Sequence, residues 1–322
     1  MKAITQAKYG PTEVLRLTEI DRPGVKANTV LVRVQAASVN AGDWHLMRGS
    51  PFLARLMFGG LLKPNIKVLG FDVAGTVEAV GQAVTRFQVG DHVFGDLSEC
   101  GFGAFAEYAT ATEEALALKP NNLTFTEAAA VPGAAMTALQ ALRDIGQVQP
   151  GQRVLINGAA GGVGSFAVQL AKAFGADVTA VCSSAKVARI KSLGADSVID
   201  YAQVDLSQKE VYDLIMDVAA YRSVFDYLPL LKPQGTYVLV GGAIARLFLV
   251  MILGSAISTL SNRRVKSLIV KPNTTDLTVL KDLIEAGKLV PLIDHLYSLE
   301  EVPEAIRRLE QRQVVGKVAI RI

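Results

Sequence analysis

Cysteine and histidine, the side chains that most often bind zinc, are scarce in this chain. Its 322 residues include two cysteines and three histidines. Cys100 and Cys182 lie far apart in the sequence, which excludes a disulfide framework and disfavours a structural zinc cluster. His45, His92 and His295 are not at the spacing of metal ligands. We therefore predict that the chain binds no metal.

Charge is also limited, because only 20% of the residues are charged and the net charge is +3. A balance this small gives no support to a nucleic-acid-binding surface. Half of the residues are hydrophobic, so we expect a folded chain with a sizeable core, and the length suggests two domains. The first residues lead directly into a predicted strand and show no signal peptide, so we expect a cytoplasmic protein.

One long apolar segment, residues 244–260, contains Arg246 as its only charged residue. A helix needs about 20 apolar residues to span a bilayer. Because Arg246 and Gly254 interrupt the segment, and because it lies among alternating strands and helices, we predict a helix buried on most sides and not a membrane span. Other roles remain open: lining an apolar substrate entrance, touching a membrane surface, or pairing two subunits of a homodimer together with the predicted strand at residues 265–270.

The clearest functional motif is a glycine-rich turn between a predicted strand, residues 154–157, and a predicted helix that continues to residue 173. Glycine lets the backbone approach a pyrophosphate, and the start of a helix offers unpaired N–H groups and a positive dipole end. Gly161 and Gly164 match two glycines of the dinucleotide fingerprint, whereas Ala159 replaces the first. The residues predicted to contact the dinucleotide here are Ala160, Gly161, Gly162 and Val163.

The residues after the next predicted strand indicate which dinucleotide is bound. An NAD-specific enzyme usually has a carboxylate there, which binds the ribose 2′-hydroxyl and repels a 2′-phosphate. This chain has Ser183, Ser184 and Lys186 instead. Hydroxyls and a cation favour the phosphate, so we predict NADPH as the cofactor. An alternative is that Lys186 only begins a solvated helix.

Strands and helices continue to alternate as far as residue 270, which predicts a parallel sheet with right-handed crossovers. Ligands bind outside the carboxyl ends of the strands in such sheets. This adds Tyr201, Val240, Gly241 and Gly242 to the predicted cofactor side. Tyr201 either stacks near the adenine or donates to the 2′-phosphate, or it is an aromatic residue half inside the core.

The amino-terminal part, residues 1–118, is predicted to be mostly β, because short β-rich runs alternate with turn signals. The last residues, 316–322, form a predicted strand that returns to this part. The apolar run at residues 53–58 is either a mobile helix over a cleft or a packed surface helix.

Several short motifs resemble, in their order along the chain, those of the medium-chain dehydrogenase/reductase superfamily, and most closely its quinone oxidoreductase-like branch. They lie at residues 37–43, 70–75, 89–93, 101–108, 128–132, 137–142, 157–164, 193–196 and 316–317. The resemblance implies an α/β fold: a Rossmann domain with a parallel sheet that binds NADP, residues 126–272, and a mostly β GroES-like substrate domain formed by both chain ends, residues 1–125 and 273–322.

The resemblance also implies where the reaction takes place. Zinc alcohol dehydrogenases of the superfamily need three Cys or His ligands, and the matching positions here are Asn40, Phe71 and Gly133, which are poor zinc donors. By the same resemblance, Asn40 and Thr137 face the nicotinamide and the substrate. Asn40 either donates to a substrate oxygen or caps a turn. Lys317 either reaches the cofactor phosphates or forms a surface salt bridge.

Without a metal to polarise a carbonyl, reduction of a quinone or an enone is favoured over alcohol oxidation. The leading hypothesis is a zinc-independent, NADPH-dependent reductase that acts on a small apolar quinone or α,β-unsaturated carbonyl. Two alternatives remain open. One is a metal-free NAD(P)-dependent dehydrogenase of alcohols or ketones, and the other is an NADPH-binding redox sensor with little turnover.

Overall fold

A computed structural model describes residues 1–50, 52, 55, 60–202 and 211–322. Most of the apolar run predicted at residues 53–58 lies outside the described residues. The chain forms two compact units. The first comprises Met1–Ala134, Pro272–Gly287 and Pro291–Ile322, and the second comprises Ala135–Lys271 and Lys288–Val290. Both chain ends therefore belong to the first unit.

The strands are numbered in chain order as β1 (Lys2–Gln6), β2 (Leu15–Glu19), β3 (Thr29–Val39), β4 (Asp72–Val80), β5 (His92–Asp96), β6 (Tyr108–Thr112), β7 (Leu116–Leu118), β8 (Arg153–Asn157), β9 (Asp177–Cys182), β10 (Ser197–Asp200), β11 (Tyr212–Asp217), β12 (Leu231–Leu239), β13 (Arg264–Ser267), β14 (Ile293–Ser298) and β15 (Lys317–Arg321). The α-helices are α1 (Ala41–Arg48), α2 (Phe125–Ala129), α3 (Pro132–Gln140), α4 (Gly162–Ala173), α5 (Val187–Lys191), α6 (Val224–Tyr227), α7 (Ile244–Ser261), α8 (Thr274–Glu285) and α9 (Val302–Glu310).

The first unit is built around the long strand β3, which pairs antiparallel with β4, β6 and β15. Its valines at 30, 32, 34 and 39 are buried in the core, as expected for β-branched residues in a strand covered on both faces. The main sheet of this unit has the order β14-β15-β3-β4-β5-β7. The predicted return of the last strand to the amino-terminal part is confirmed, since Val318 lies opposite Val39.

The second unit contains a six-stranded sheet with the order β10-β9-β8-β11-β12-β13, and every neighbouring pair is parallel. The predicted parallel α/β fold is therefore confirmed. The order corresponds to that of Rossmann folds, in which the chain starts in the middle of the sheet and builds outward to each side in turn. The direction changes between β8 and β11, and the crevice at their carboxyl ends is where such folds bind dinucleotides.

Helix α7 differs from the prediction, because it is not buried on most sides. A narrow stripe made of Val250, Gly254 and Ile257 is buried, and a Cβ at Gly254 would lie 3.0 Å from the carbonyl oxygen of Val265 on β13. The opposite face is open, as Ile252 shows with an exposed fraction of 73%. The physical reason is position: β13 is the edge strand, so the sheet covers only one side of the helix. A search of the described residues finds no helix with the length and hydropathy needed to cross a membrane.

Candidate functional site

The glycine-rich turn joins β8 to α4 and places each glycine in a different role. Gly158 has a φ of +79°, a left-handed conformation that glycine adopts without strain. A Cβ at Gly164 would lie 2.2 Å from the Gly158 carbonyl oxygen, so this position requires glycine for the helix to pack against the turn. Gly161 is different, because its nearest neighbour would be 3.6 Å from an added Cβ. The turn is therefore open at Gly161 and closely packed at Gly164.

The start of α4 has the properties of an anion-binding site. Its first intrahelical hydrogen bond runs from the amide of Ser165 to the carbonyl of Gly161, at 2.9 Å. The amides of Gly162, Val163 and Gly164 come before that bond, and amides at this point of a helix have no carbonyl of their own helix to bind. Together with the open side of Gly161, they fit the pyrophosphate of a dinucleotide.

A buried carboxylate connects the carboxyl ends of β8, β11 and β12. Asp217 accepts a hydrogen bond from the Asn157 amide nitrogen at 2.7 Å and one from the Tyr237 hydroxyl at 2.7 Å. Burial raises the pKa of the Asp217 carboxyl, and these two donors partly oppose the rise. This group was not among the residues predicted from the sequence. The sequence does contain a signal for it, because Asn157 and Asp217 are polar residues that end the apolar strands β8 and β11.

The loops beyond these strands contact one another. Val240 donates its amide to the Asp217 carbonyl at 2.9 Å, and the Ala220 amide donates to Gly241 at 3.0 Å. At Gly242, with φ +122°, a Cβ would lie 2.3 Å from the Ala220 nitrogen. The structure thus brings the predicted residues Val240, Gly241 and Gly242 to the same edge of the sheet as the glycine-rich turn.

The predicted residues after β9 and β10 also lie at this edge. The Tyr201 amide donates to the Cys182 carbonyl at 3.2 Å. The Tyr201 side chain is 53% exposed, so about half of it is accessible to a ligand. The Ser184 hydroxyl donates to Asp200, a carboxylate that was not predicted from the sequence to lie at this site. Burial raises the pKa of the Cys182 thiol; Asp200 raises it further and Lys186 opposes it. A cation and a carboxylate therefore both lie near the end of β9.

A second polar cluster lies inside the first unit, around the fully buried carboxylate of Asp72. One of its oxygens accepts from the Gly133 amide at 2.7 Å. The other accepts from the Ser38 hydroxyl at 2.7 Å, the Asn40 amide at 2.9 Å and the Lys317 ammonium at 3.0 Å. These donors come from three separate parts of the chain, so Asp72 joins them into one cluster.

This cluster determines the orientation of the Asn40 side chain. An ammonium can only donate a hydrogen bond, so the amide oxygen faces Lys317, at 2.5 Å, and the amide nitrogen faces Asp72. The amide nitrogen also lies 3.5 Å from the Ser38 carbonyl oxygen. A hydrogen bond from its second hydrogen is weak at this distance. Asn40 also precedes α1, where its backbone N–H donates to Asp43 at 2.8 Å. It therefore has the predicted capping position and also an oriented side chain.

Neither predicted role of Lys317 agrees with the structure. Its side chain is 3% exposed, so it forms no surface salt bridge. Its ammonium binds Asp72, Asn40 and the carbonyl of Val39, so it does not extend toward cofactor phosphates. The physical reason is the Asp72 charge, because a buried carboxylate requires a positive partner.

Two further carboxyls, Asp43 and Asp96, are buried near this cluster. Burial raises the pKa of each to about 7. The backbone N–H of Asn40 opposes the rise in the pKa of Asp43, whereas the Asp72 charge adds to the rise for both groups. Both carboxyls are therefore partly protonated near neutral pH, and the positive charge of Lys317 opposes the rise in pKa at each of them.

The residues at the positions of the zinc ligands offer little to a metal ion. Phe71 presents a hydrocarbon ring, and a Cβ at Gly133 would lie 2.8 Å from that ring and 2.9 Å from an Asp72 oxygen. Asn40 presents an amide that is already bound to charged groups. Within the described residues, no group of three His, Cys, Asp or Glu side chains is arranged to hold a metal ion.

The predicted catalytic residues come from different units. Thr137 is half-buried on α3, in the part of that helix that belongs to the second unit. Asn40 and the Asp72 cluster belong to the first unit. The glycine-rich turn and the predicted residues after β9, β10 and β12 all belong to the second.

Comparison with known proteins identifies the family. Residues 26–121 match the family described as "Alcohol dehydrogenase GroES-like domain", and residues 193–320 match "Zinc-binding dehydrogenase". The chain is 36% identical to the 2-methylene-furan-3-one reductase of Solanum lycopersicum, over 99% of this chain and 79% of that protein. It is 33% identical to the NADPH-dependent alkenal/one oxidoreductase, chloroplastic, of Arabidopsis thaliana, over 99% of this chain and 79% of that protein. The structure of the quinone oxidoreductase from Coxiella burnetii superposes with a TM-score of 0.90 at 32% identity, covering 100% of this chain and 99% of that one.

The chain belongs to the medium-chain dehydrogenase/reductase superfamily, in its quinone oxidoreductase-like branch. The predicted GroES-like part and Rossmann sheet are confirmed with it. Membership in this superfamily makes the protein an oxidoreductase and implies a nicotinamide cofactor. The relatives also suggest a small carbonyl or quinone as its substrate class.

Proposed function

We propose that this oxidoreductase is a zinc-independent, NADPH-dependent reductase of quinones or α,β-unsaturated carbonyls. The observation on which we base this is the buried Asp72–Lys317 pair that orients the Asn40 amide. In the zinc enzymes of the superfamily, the position of Asn40 holds a metal ligand. A neutral, oriented amide supports reactions that need one hydrogen-bond donor and no Lewis acid.

The second unit holds the cofactor in this proposal. The amides of Gly162 and Val163 bind the pyrophosphate, and the open side of Gly161 lets it approach the backbone. Val240, Gly241 and Gly242 form the neighbouring wall of the crevice. Ser183, Ser184, Lys186 and Tyr201 surround the adenosine end, where Lys186 supplies the positive charge for a 2′-phosphate. The bound cofactor supplies hydride to the substrate.

The first unit supplies the donor to the substrate. Asp72 and Lys317 hold the Asn40 amide, and its weakly bonded second hydrogen stabilises negative charge on the oxygen of the substrate. The Thr137 hydroxyl is the second proposed contact with the nicotinamide and the substrate. Because both groups are neutral, the site suits a small apolar quinone or enone. The cytoplasmic location stays a prediction, and one relative named above is described as chloroplastic.

The test of this function is the oxidation of NADPH by the purified full chain with a small quinone and a set of enones, measured with and without a strong chelator. We expect turnover of at least one acceptor class and equal rates in both conditions. A rate that the chelator abolishes and zinc restores would contradict the proposal. Nucleotide binding without turnover on any acceptor would favour a redox sensor instead, and oxidation of alcohols alone would favour a dehydrogenase.

The preference for NADPH predicts a specific effect of Lys186→Glu. We expect the Kd for NADPH to rise roughly tenfold or more, because a hydrogen bond to a charged group contributes about 1.5–3 kcal/mol, whereas the Kd for NADH should change little. Titration calorimetry with both nucleotides measures the two constants. Lys191→Glu is the matched control, since it makes the same charge change at the exposed end of α5. Equal losses for NADPH and NADH would contradict the assignment of Lys186 to the 2′-phosphate.

A further inference from the structure

Asp217, the last residue of β11, is a fully buried carboxylate with only neutral hydrogen-bond donors. Its exposed fraction is 0%. Burial raises the pKa of Asp217, and the groups that oppose this rise are the Tyr237 hydroxyl, the Asn157 amide and the Ala219 backbone N–H. Within the part of the chain that the structure describes, Asp217 takes part in no ion pair. A buried charge without a partner of opposite sign is costly to the fold.

The buried carboxylate of the first unit, Asp72, shows the more usual arrangement. It is buried to the same extent as Asp217, and the Lys317 ammonium lies 3.0 Å from it. Near Asp217 the situation is different. Burial and the Asp217 charge raise the pKa of Tyr237, and Arg246 opposes this rise with the smallest of the effects on that hydroxyl. The protein therefore supplies a close cation to Asp72 and none to Asp217.

The position of Asp217 connects this charge with the proposed cofactor crevice. Strand β11 lies between β8 and β12, and Asp217 is at its carboxyl end. The next residues contact both glycine loops of the crevice. A Cβ at Gly158 would lie 2.7 Å from the Ala219 side chain, and the Gly241 carbonyl accepts from the Ala220 amide at 3.0 Å. The carboxylate is therefore buried next to the loops that the dinucleotide is proposed to contact.

The order of the strands indicates which half of the dinucleotide lies nearer to Asp217. The residues proposed for the adenosine end follow β9 and β10, which lie on one side of β8. In Rossmann folds the dinucleotide crosses the crevice where the strand order reverses. The nicotinamide half therefore extends to the other side of β8, over β11 and β12. This is the side on which Asp217 is buried.

We propose that the Asp217 carboxylate stabilises the positive charge of the oxidised nicotinamide, so that the protein favours the oxidised over the reduced form of its cofactor. The reduced nicotinamide ring is neutral. When a hydride passes from it to the acceptor, the ring is left with a positive charge, and the reduced acceptor takes up a proton from the solvent. Charges attract more strongly in a buried site than in water. The reaction itself thus forms the cation that Asp217 lacks.

This electrostatic role has two consequences for turnover. The positive charge already develops while the hydride is being transferred, so a fixed negative charge lowers the barrier of this step. The same attraction slows the release of the oxidised cofactor. The inference rests on the nicotinamide cofactor of the proposed function, but not on the preference for NADPH, because the ring is the same in NADPH and NADH.

The first test measures the Kd of the full chain for NADP⁺ and for NADPH by titration calorimetry. The measurement is made at about pH 8, where even a carboxyl with a raised pKa is largely ionised. We expect NADP⁺ to bind at least as tightly as NADPH, and tenfold tighter binding of NADPH would overturn the proposal. The reference ligand is adenosine 2′,5′-bisphosphate, which has no nicotinamide. Absence of binding of all three ligands would contradict the proposed function itself, whereas a wrong ratio contradicts this inference alone.

The variant Asp217→Asn removes the charge and keeps the hydrogen bonds. Its amide oxygen accepts from Asn157 and Ala219, and its amide nitrogen donates to the Tyr237 hydroxyl, which turns to accept. We expect the Kd for NADP⁺ to rise roughly tenfold, because the attraction between opposite charges is lost, whereas the Kd values for NADPH and adenosine 2′,5′-bisphosphate should change by about twofold or less. Equal losses for all three ligands would show a structural role and overturn the proposal.

Asp213→Asn is the matched control, because it makes the same change at the other end of the same strand. Asp213 lies about 13 Å from Asp217, given the rise per residue of a strand, and its charge is paired with Lys232. The ratio of the Kd values for NADP⁺ and NADPH should stay at the parent value in this control. In Asp217→Asn the ratio for NAD⁺ and NADH should shift by the same factor as that for NADP⁺ and NADPH. An unchanged ratio in Asp217→Asn, or an equal shift in the control, would overturn the proposal.

Discussion

Replacing Lys317 by Met is expected to lower the free energy of unfolding of the first unit by about 3–5 kcal/mol, because it leaves a buried carboxylate without its cation. Asp72 is fully buried and accepts from the Lys317 ammonium at 3.0 Å. Its other donors are neutral, namely Ser38, Asn40 and the Gly133 amide. Urea unfolding followed by circular dichroism measures the loss as a shift of the transition midpoint.

The effect of this substitution should depend on pH. Burial raises the pKa of Asp43 and Asp96 to about 7, above the value of about 3.9 in an unfolded chain. The stability that these groups contribute is complete below the unfolded value and is lost as pH rises through the folded value. The parent should therefore become less stable between about pH 4 and about pH 7, and the variant should lose more over that range, because no ammonium offsets the ionised carboxyls.

Two controls make this result interpretable. Lys232→Met breaks the exposed pair with Asp213 and should cost about 1 kcal/mol or less. Asp72→Asn combined with Lys317→Met removes both charges, so the double variant should be less destabilised than the sum of the single variants. Additive losses, or a Lys317→Met variant as stable as the parent, would show that the buried pair does not hold the cluster together.

A pair of glycine substitutions is expected to separate cofactor binding from stability. Gly161→Ala should leave the unfolding midpoint nearly unchanged, because φ is −81° and the added Cβ has open space around it. The same Cβ extends toward the proposed pyrophosphate site, so we expect the Kd for NADPH to rise roughly tenfold or more, the equivalent of losing about one hydrogen bond to a charged group. Titration calorimetry measures the Kd.

Unlike Gly161→Ala, the substitution Gly164→Ala should lower the unfolding midpoint. Its Cβ would lie 2.2 Å from the Gly158 carbonyl oxygen, so the helix or the turn must move, which typically costs about 1–3 kcal/mol. The gain in helix propensity from Gly to Ala, about 1 kcal/mol, does not fully offset this. Equal unfolding midpoints for the two variants, or full NADPH affinity in Gly161→Ala, would contradict the roles assigned to the two glycines.

Local patterns in the sequence were sufficient to predict the nucleotide-binding half of the fold. The apolar run before Asn157 predicts a buried strand, and the periodic apolar residues after Gly164 predict a helix. The glycines between them are required by short-range geometry, which depends on neighbouring residues only. For this reason the strand, turn, helix and parallel sheet were predicted correctly without knowledge of distant contacts.

The Asp72 cluster was not predictable in the same way. Ser38, Asn40, Asp72, Gly133 and Lys317 are distributed over nearly the whole chain, and each has an ordinary local context. Only the pairing of β3 with β4 and β15 brings them together. Lys317 was therefore predicted to be a phosphate ligand or a surface residue, whereas the sheet places it beside a buried charge.

Some properties of helix α7 follow from its own sequence, and others depend on the tertiary structure. Its sequence alone determined that residues 244–260 are apolar, helical and almost without charge, because composition and propensity are properties of the segment. Which side of the helix is buried was decided by the sheet, because β13 is its last strand and can cover one side only. A segment carries its own hydrophobicity, but the neighbours that bury it are supplied by the rest of the fold.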